Sequence, residues 1–160
     1  METNIFLSLG SNQGDSQKIL PEAIRMIGSQ AGTVVKVSSV YRTAAWGKAD
    51  QPDFLNQVIQ VQSSLMPAEL MDAMLGIEQS LGRHRTEKWA PRTIDIDLLF
   101  YGDNVTTSPS LTLPHPHLQN RNFVLVPLDE IAPDFIHPVL KKTVRTLLAA
   151  CEDTLPVIRC

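Results

Sequence analysis

Alternating apolar and polar residues predict a series of short strands along this chain. Apolar side chains alternate over 5–9, ahead of the turn residues at 10–14, and again over 54–61. The stretch 33–43 is rich in β-branched residues and predicts another strand between these two. A last strand is predicted over 94–100. The pattern therefore predicts four strands, with 44–53 as a long irregular loop before the third.

Apolar residues at helical spacing predict helices between these strands. The first begins at about Asp15, and Pro21 is awkward inside it because proline lacks a backbone donor. The second runs from Pro67 to Leu81, with a proline suited to the first helical position and a glycine just past the end. Beyond the strands lie an apolar segment over 123–131 and a short helix over 144–151.

The order of these elements is strand, helix, strand, strand, helix, strand. This order is typical of the ferredoxin-like βαββαβ arrangement, an α+β sandwich with an antiparallel sheet and helices on one face. At 160 residues, the chain has the length of one ordinary domain, so a single domain over 1–160 is expected.

The strand over 94–100 carries an unusual pair of charges. Ile94, Ile96, Leu98 and Phe100 form its even face, whereas Asp95 and Asp97 share the odd face with Thr93 and Leu99. Same-face neighbours on a strand lie about 7 Å apart, so both carboxylates point the same way. Magnesium prefers carboxylate oxygens and leaves coordination positions open for phosphates. The preceding cations Arg83, Arg85, Lys88 and Arg92 suit a polyphosphate.

A structural interpretation of the same residues stands beside this one. Aspartates on the exposed side of a strand are common, and an arginine-rich loop is usually a solvated surface. Because both features occur within fifteen residues, with an aromatic between them, together they favour a metal–phosphate site.

Composition narrows the class of protein. Hydrophobic residues make up 43% and the net charge is −3, which predicts a soluble globular protein without a general nucleic-acid or membrane surface. The two cysteines, Cys151 and Cys160, have no metal-ligand spacing, and a reducing cytoplasm is expected. The N-terminal residues lack the pattern of a signal peptide. A monomer is expected.

Other motifs carry less chemical information. A glycine-rich phosphate loop with its lysine is absent, so a nucleotide would be bound through metals and arginines. His115 and His117 lie two residues apart in a proline-rich segment; a phosphate or base contact and a plain stiff loop are both open, whereas zinc is disfavoured. Glu78, one residue off the apolar stripe of its helix, is expected at the surface.

Several motifs in this order resemble the 6-hydroxymethyl-7,8-dihydropterin pyrophosphokinase family. The resemblance covers essentially the whole chain and rests on Leu9-Gly10-Ser11-Asn12, Tyr41-Arg42-Thr43, Phe54-Leu55-Asn56, Gly82-Arg83-His84-Arg85, Trp89-Ala90-Pro91-Arg92-Thr93-Ile94-Asp95-Ile96-Asp97, Leu113-Pro114-His115 and Arg121-Asn122-Phe123. The Pro-Arg-Thr-Ile-Asp-Ile-Asp stretch is the most specific of these. The ferredoxin-like fold of that family agrees with the order of elements above.

The resemblance implies a reaction in folate biosynthesis. The hydroxymethyl oxygen of a reduced pterin attacks the β-phosphorus of ATP, diphosphate is transferred and AMP leaves. By similarity, Asp95 and Asp97 hold two magnesium ions and Arg83 and Arg92 are catalytic. The implied ATP-binding residues are Glu78, Arg85, Lys88, Trp89, Leu98, Thr112, His115 and Arg121. The implied pterin-binding residues are Thr43, Trp46, Phe54, Asn56 and Phe123.

The expected protein is a cytoplasmic magnesium-dependent pyrophosphokinase whose partners are ATP and a reduced pterin. The loops 44–53 and 82–92 are expected to act as lids, because they are long, contain glycines and carry substrate-facing residues. Two alternatives are another metal-dependent nucleotidyl or phosphoryl transferase, and a ferredoxin-like small-molecule binding module.

Overall fold

A computed structural model describes residues 3–44, 52–82 and 93–160. The helices are α1 (Ser16–Gln30), α2 (Pro67–Ser80), α3 (Asn122–Ile131) and α4 (Val144–Ala150), with a 3-10 turn at Leu118–Asn120. The strands are β1 (Thr3–Ser11), β2 (Thr33–Val37), β3 (Tyr41–Thr43), β4 (Phe54–Ser63), β5 (Asp95–Tyr101), β6 (Thr106–Thr107), β7 (Thr112–Leu113) and β8 (Ile158–Arg159).

The main sheet is antiparallel throughout its described pairings. Its order is β5-β1-β4-β3-β8, and β2 pairs with β4 beside β3. The central strands β1 and β4 are covered on both faces, and accordingly residues 5–9 and 56–59 are buried without interruption. The predicted α+β class with an antiparallel sheet is confirmed.

The strand predicted over 33–43 is divided in two. Tyr41 lies four positions after Val37, but their partners Asn56 and Ile59 are only three positions apart, so the register shifts between β2 and β3. At the break, the N–H of buried Ser38 still donates to the Val58 carbonyl at 2.9 Å, but the Val58 N–H donates to the Ser38 Oγ at 3.0 Å instead of to a backbone carbonyl. The segment 33–43, although rich in residues that favour strands, thus forms two strands, because the Ser38 side chain takes the place of one backbone acceptor in the pairing with β4.

Two apolar cores cover the two faces of the sheet. Helices α1 and α2 pack on the face that carries Ile5, Leu7 and Leu9, as the βαββαβ pattern predicts. Helices α3 and α4 pack on the opposite face, which carries Phe6 and Val58. The two helices of the βαββαβ unit therefore lie on one face, as predicted, and the C-terminal helices α3 and α4, outside that unit, cover the second face.

A register shift in β5 changes one predicted face. Leu7 is paired with Leu98, and the next residue, Phe6, is paired with Phe100, so Leu99 is an extra residue in this strand. Leu99 and Phe100 both join the second core. The prediction that Phe100 shares a face with Leu98 is wrong, because a bulge reverses the alternation after the inserted residue.

No helix in the described ranges combines the length and apolar character needed to cross a membrane.

Candidate active site

Gly10 in β1 lies between two candidate site residues on neighbouring strands. In register, Gly10 is opposite Asn56 of β4 on one side and Asp95 of β5 on the other. Directly paired residues project from the same face of a sheet, so both side chains emerge beside Gly10. Two strand spacings separate their backbones, roughly 10 Å. One end of one face therefore carries both a candidate ring-binding amide and a candidate metal carboxylate.

The two aspartates keep the geometry that the sequence predicts. Asp97 is opposite Ser8, one same-face position from Asp95, and both carboxylates are partly buried. In the described residues, no group of three or more His, Cys, Asp or Glu is placed to hold a metal ion without other ligands. Magnesium is commonly held by one or two carboxylates together with substrate phosphates, so this pair fits that ion.

Glu78 lies behind the aspartate strand, on the helix α2 side. It is only 2% exposed, and its Oε2 accepts a hydrogen bond from the Ile96 N–H at 2.7 Å. The expectation of a surface residue is wrong, because the sheet edge covers this turn of the helix. Glu78 therefore anchors the backbone of Ile96, the residue between the two aspartates.

Asn56 is held by a neighbour on β3. Its Nδ2 donates to the Thr43 Oγ at 2.8 Å, and both residues are 4% exposed. This bond fixes the orientation of the amide and uses one of its two N–H groups. The remaining donor and the carbonyl oxygen are of the kind needed to recognise the edge of a heterocycle.

The absence of a side chain at Gly10 creates the space beside Asn56. A Cβ placed there would lie 3.3 Å from Asn56 Oδ1 and 3.8 Å from Phe54 Cδ1. The sequence pattern places Gly10 only in a turn and a family motif, and predicts no role for it in the site. The available signal was a glycine at the end of an apolar strand, which often marks the close approach of a ligand or another backbone.

His115 is anchored next to the aspartate strand. Its N–H donates to the Leu99 carbonyl at 2.9 Å, and its Nδ1 accepts from the His117 N–H at 3.2 Å. Burial, reinforced by the charges of Arg121 and His117, lowers the pKa of His115 to about 4, although Asp95 acts in the opposite direction. The ring is therefore neutral at physiological pH, with its proton on Nε2.

Arg121 and Phe123 flank the start of α3. The Arg121 Cζ lies 5.7 Å from the centre of the Phe123 ring, within the range of a cation–π contact. Phe123 is partly buried against the second core, which leaves part of the ring accessible. Thr112 on β7 is also partly buried. The charges of Arg121 and Asp95 both affect the pKa of His115, so Arg121, Asp95 and His115 lie near one another.

The structure separates Leu98 from this group. Its side chain is 4% exposed and belongs to the first core, on the face opposite the aspartates. Only its backbone remains available for the predicted ATP contact. The remaining candidates lie outside the described residues: Trp46, Arg83, Arg85, Lys88, Trp89 and Arg92. Most of the two predicted lid loops lies outside them as well.

Comparison with known proteins identifies relatives over nearly the whole chain. A protein from Synechocystis named 2-amino-4-hydroxy-6-hydroxymethyldihydropteridine pyrophosphokinase is 46% identical over 149 residues, covering 92% of this chain and 76% of that protein. A protein of the same name from Aquifex aeolicus is 39% identical over 156 residues, covering 98% of this chain and 96% of that protein.

The solved structures that share this fold have low sequence identity to this chain. An HPPK-DHPS in complex with substrates superposes with a TM-score of 0.76 at 13% identity, over 94% of this chain and 43% of that one. Wild-type HPPK-DHPS from Plasmodium falciparum superposes with a TM-score of 0.73 at 17% identity, over 93% of this chain and 44% of that one. The present chain thus spans less than half the length of these solved chains, and at such identities the likeness supports the fold alone.

A family model provides the remaining comparison. The model of 7,8-dihydro-6-hydroxymethylpterin-pyrophosphokinase matches residues 6–133, which extend from the middle of β1 past the end of α3 and include every described candidate residue. Together with relatives at 39% and 46% identity, this match shows that the chain belongs to the 7,8-dihydro-6-hydroxymethylpterin-pyrophosphokinase family.

Proposed function

We propose that the protein transfers diphosphate from ATP to 6-hydroxymethyl-7,8-dihydropterin in folate biosynthesis. The observation that carries this proposal is the placement of Asn56 and Asp95 on either side of Gly10. A pterin held at Asn56 presents its hydroxymethyl arm toward phosphates held at the aspartates, because both lie on one face at one end of the sheet. Family membership supports the same reaction.

The reaction balances as a single displacement. The hydroxymethyl oxygen of the pterin forms a bond to the β-phosphorus of ATP and loses its proton. The bond from that phosphorus to the oxygen bridging the α-phosphate breaks, and AMP leaves with this oxygen. Phosphoryl chemistry of this kind depends mainly on positioning and on neutralising charge, so residues that fix the two substrates carry most of the catalysis.

Magnesium is the metal that suits the acidic pair. Asp95 and Asp97 would hold two ions, which supply positive charge to the triphosphate. The protein contributes the fixed strand geometry of these carboxylates, and Glu78 stabilises the backbone between them.

The pterin and the nucleotide are assigned to different side chains. Phe54 and Phe123 supply aromatic surface for the flat ring, and Asn56, oriented by Thr43, recognises its edge. Neutral His115 offers a hydrogen-bond donor to the nucleotide, and Arg121 offers positive charge to its phosphates. Leu98 contributes through its backbone only. Thr112 is assigned to the nucleotide as well. The catalytic roles of Arg83 and Arg92 stay predictions.

Product analysis tests the proposal directly. The protein is incubated with ATP, magnesium chloride and the reduced pterin, and the products are identified by mass. AMP together with a pterin diphosphate is the expected result. ADP would indicate an ordinary kinase, and no nucleotide product would indicate a binding module; either result would overturn the proposal. Gel filtration with light scattering checks the predicted monomer.

A further inference from the structure

Helix α3 begins without a capping side chain of its own. Its N-cap residue is Arg121, which has no acceptor atom in its side chain, and the first turn of the helix contains no acidic residue. The first backbone N–H groups of a helix have no partner inside the helix and need acceptors from elsewhere. This helix start is also the segment that carries Arg121 and Phe123.

A residue from the C-terminal segment supplies the missing acceptors. Asp153 Oδ2 accepts from the Asn122 N–H at 3.0 Å, and the Asp153 carbonyl oxygen accepts from the Asn122 Nδ2 at 2.8 Å. The other carboxylate oxygen, Oδ1, accepts from the Leu155 N–H at 2.9 Å, which fixes the aspartate itself. A carboxylate at this position also interacts favourably with the positive end of the helix dipole.

The same C-terminal segment reaches the strand beside Asn56. In β8, Ile158 and Arg159 pair with Arg42 and Tyr41, and the Cys160 N–H donates to the Val40 carbonyl at 2.9 Å. The strand that receives this pairing, β3, also carries the threonine that orients Asn56. The segment from Asp153 to Cys160 therefore connects the start of α3 with β3.

The far end of α3 is fixed to the same strand region. Glu130 Oε1 accepts from the Tyr41 hydroxyl at 2.6 Å, and its carboxylate also accepts from the Ser39 N–H at 3.0 Å. These bonds lower the pKa of Glu130, despite the opposing effect of burial, so the carboxylate is charged at neutral pH. The buried face of α3 is held in the second core and its far end near β3, and Asp153 fixes the backbone and side chain of Asn122 at the helix start.

We infer that Asp153 is a positioning residue for substrate binding, acting through Asn122 on Arg121 and Phe123. Asn122 lies between these two residues in sequence, and its backbone and side chain are both bound to Asp153. Fixing Asn122 fixes the directions in which the neighbouring side chains leave the backbone. This inference rests on the proposed function, because it assigns Phe123 to the pterin and Arg121 to the nucleotide.

The test compares Asp153→Ala with a variant that loses an equivalent cap elsewhere. Thr143 caps α4 by accepting from the Thr146 N–H at 3.2 Å, and Thr143→Ala removes that cap. Loss of either cap is expected to lower the melting temperature by roughly 2–4 °C. Glu152→Gln, an exposed neighbour with the same charge, controls for the change in charge.

Binding separates positioning from stability. Reduced pterin is titrated with and without a non-hydrolysable ATP analogue, at a temperature where every variant is folded. Asp153→Ala should raise the pterin Kd by about tenfold or more, since small misplacements of binding groups have large effects. Thr143→Ala and Glu152→Gln should leave the Kd unchanged. Asp153→Asn, which keeps a side-chain acceptor and the main-chain oxygen, should restore most of the affinity.

Two further results decide the remaining cases. If Asp153→Ala does not fold, Asn122→Ala removes only the bond to the Asp153 carbonyl oxygen and should still raise the pterin Kd. Equal pterin affinity in the wild-type protein, Asp153→Ala and Asn122→Ala would overturn the inference. Failure of the wild-type protein to bind pterin or to release AMP would instead overturn the proposed function.

Discussion

The Glu78 carboxylate accepts a hydrogen bond from the Ile96 backbone N–H, and Ile96 separates the two aspartates of the candidate metal site. Among the described strands, β5 is the terminal strand of the main sheet, so donors on its outer edge have no neighbouring strand of that sheet there. Glu78 provides an acceptor at that edge from a buried position on α2. A helix side chain therefore takes the place of a strand partner where the site needs fixed geometry.

Replacing Glu78 should separate its role as an acceptor from its charge. Glu78→Ala leaves the buried Ile96 N–H without this acceptor, and an unsatisfied buried donor costs about 1–3 kcal/mol. Glu78→Gln keeps an acceptor oxygen and should be more stable than the alanine variant. Thermal unfolding and kcat/KM measured on both variants check this order. A glutamine variant no more stable than the alanine variant would show that the Ile96 bond contributes little.

Either aspartate should be essential for turnover without being essential for folding. Asp95→Asn or Asp97→Asn should reduce kcat by roughly a thousandfold or more, because a magnesium ligand is lost. The exposed turn residue Asp103 offers a control, and Asp103→Asn should be close to wild type. Single-turnover rates and circular dichroism spectra provide the measurements. Near-normal turnover in both site variants would refute the metal assignment.

Adding a methyl group at Gly10 should affect the pterin more than the nucleotide. The new Cβ would lie 3.3 Å from Asn56 Oδ1 and close to the Phe54 ring, so the amide must shift by a few tenths of an ångström. Gly10→Ala should raise the pterin Kd by roughly threefold to tenfold. Gly76→Ala is the control, because nothing lies within 4 Å of its Cβ position and alanine favours a helix. Equal pterin affinity in both variants would argue that the ring binds elsewhere.

His115 should make stability depend on pH below neutrality. Its pKa is about 4 in the folded protein, below the ordinary value of 6.5, so the unfolded chain binds more protons between these values. Stability should be complete above about pH 6.5 and fall as the pH is lowered toward about 4. Urea unfolding across this range should show a weaker dependence for His115→Gln.

Two other histidines define the controls for this experiment. His117 is exposed, and its charge contributes less than burial to the lowered pKa of His115, so His117→Gln should weaken the dependence on pH less than His115→Gln does. His137 is buried and its pKa is also lowered by burial, so it contributes to the dependence that remains in His115→Gln, as does Glu130, whose lowered pKa adds stability that is lost at acid pH. An unchanged pH dependence in His115→Gln would show that His115 is not protonated differently on folding.

The sequence by itself determined the features that depend on near neighbours along the chain. Period-two alternation predicted β1, β4 and the common face of Asp95 and Asp97, because successive strand residues point to opposite sides. Helical spacing and an N-terminal proline predicted α2 to within one residue of its end. The family motifs, which are also read from short stretches of sequence, predicted the pyrophosphokinase reaction.

Tertiary structure alone decided the contacts between distant segments. The inserted Leu99 moved Phe100 to the second core, and the sheet edge buried Glu78. Strand order placed Gly10 between Asn56 and Asp95, and the C-terminal segment brought Asp153 to Asn122, 31 residues away. Local propensity cannot predict such relationships, because register and strand order depend on which distant surfaces pack together.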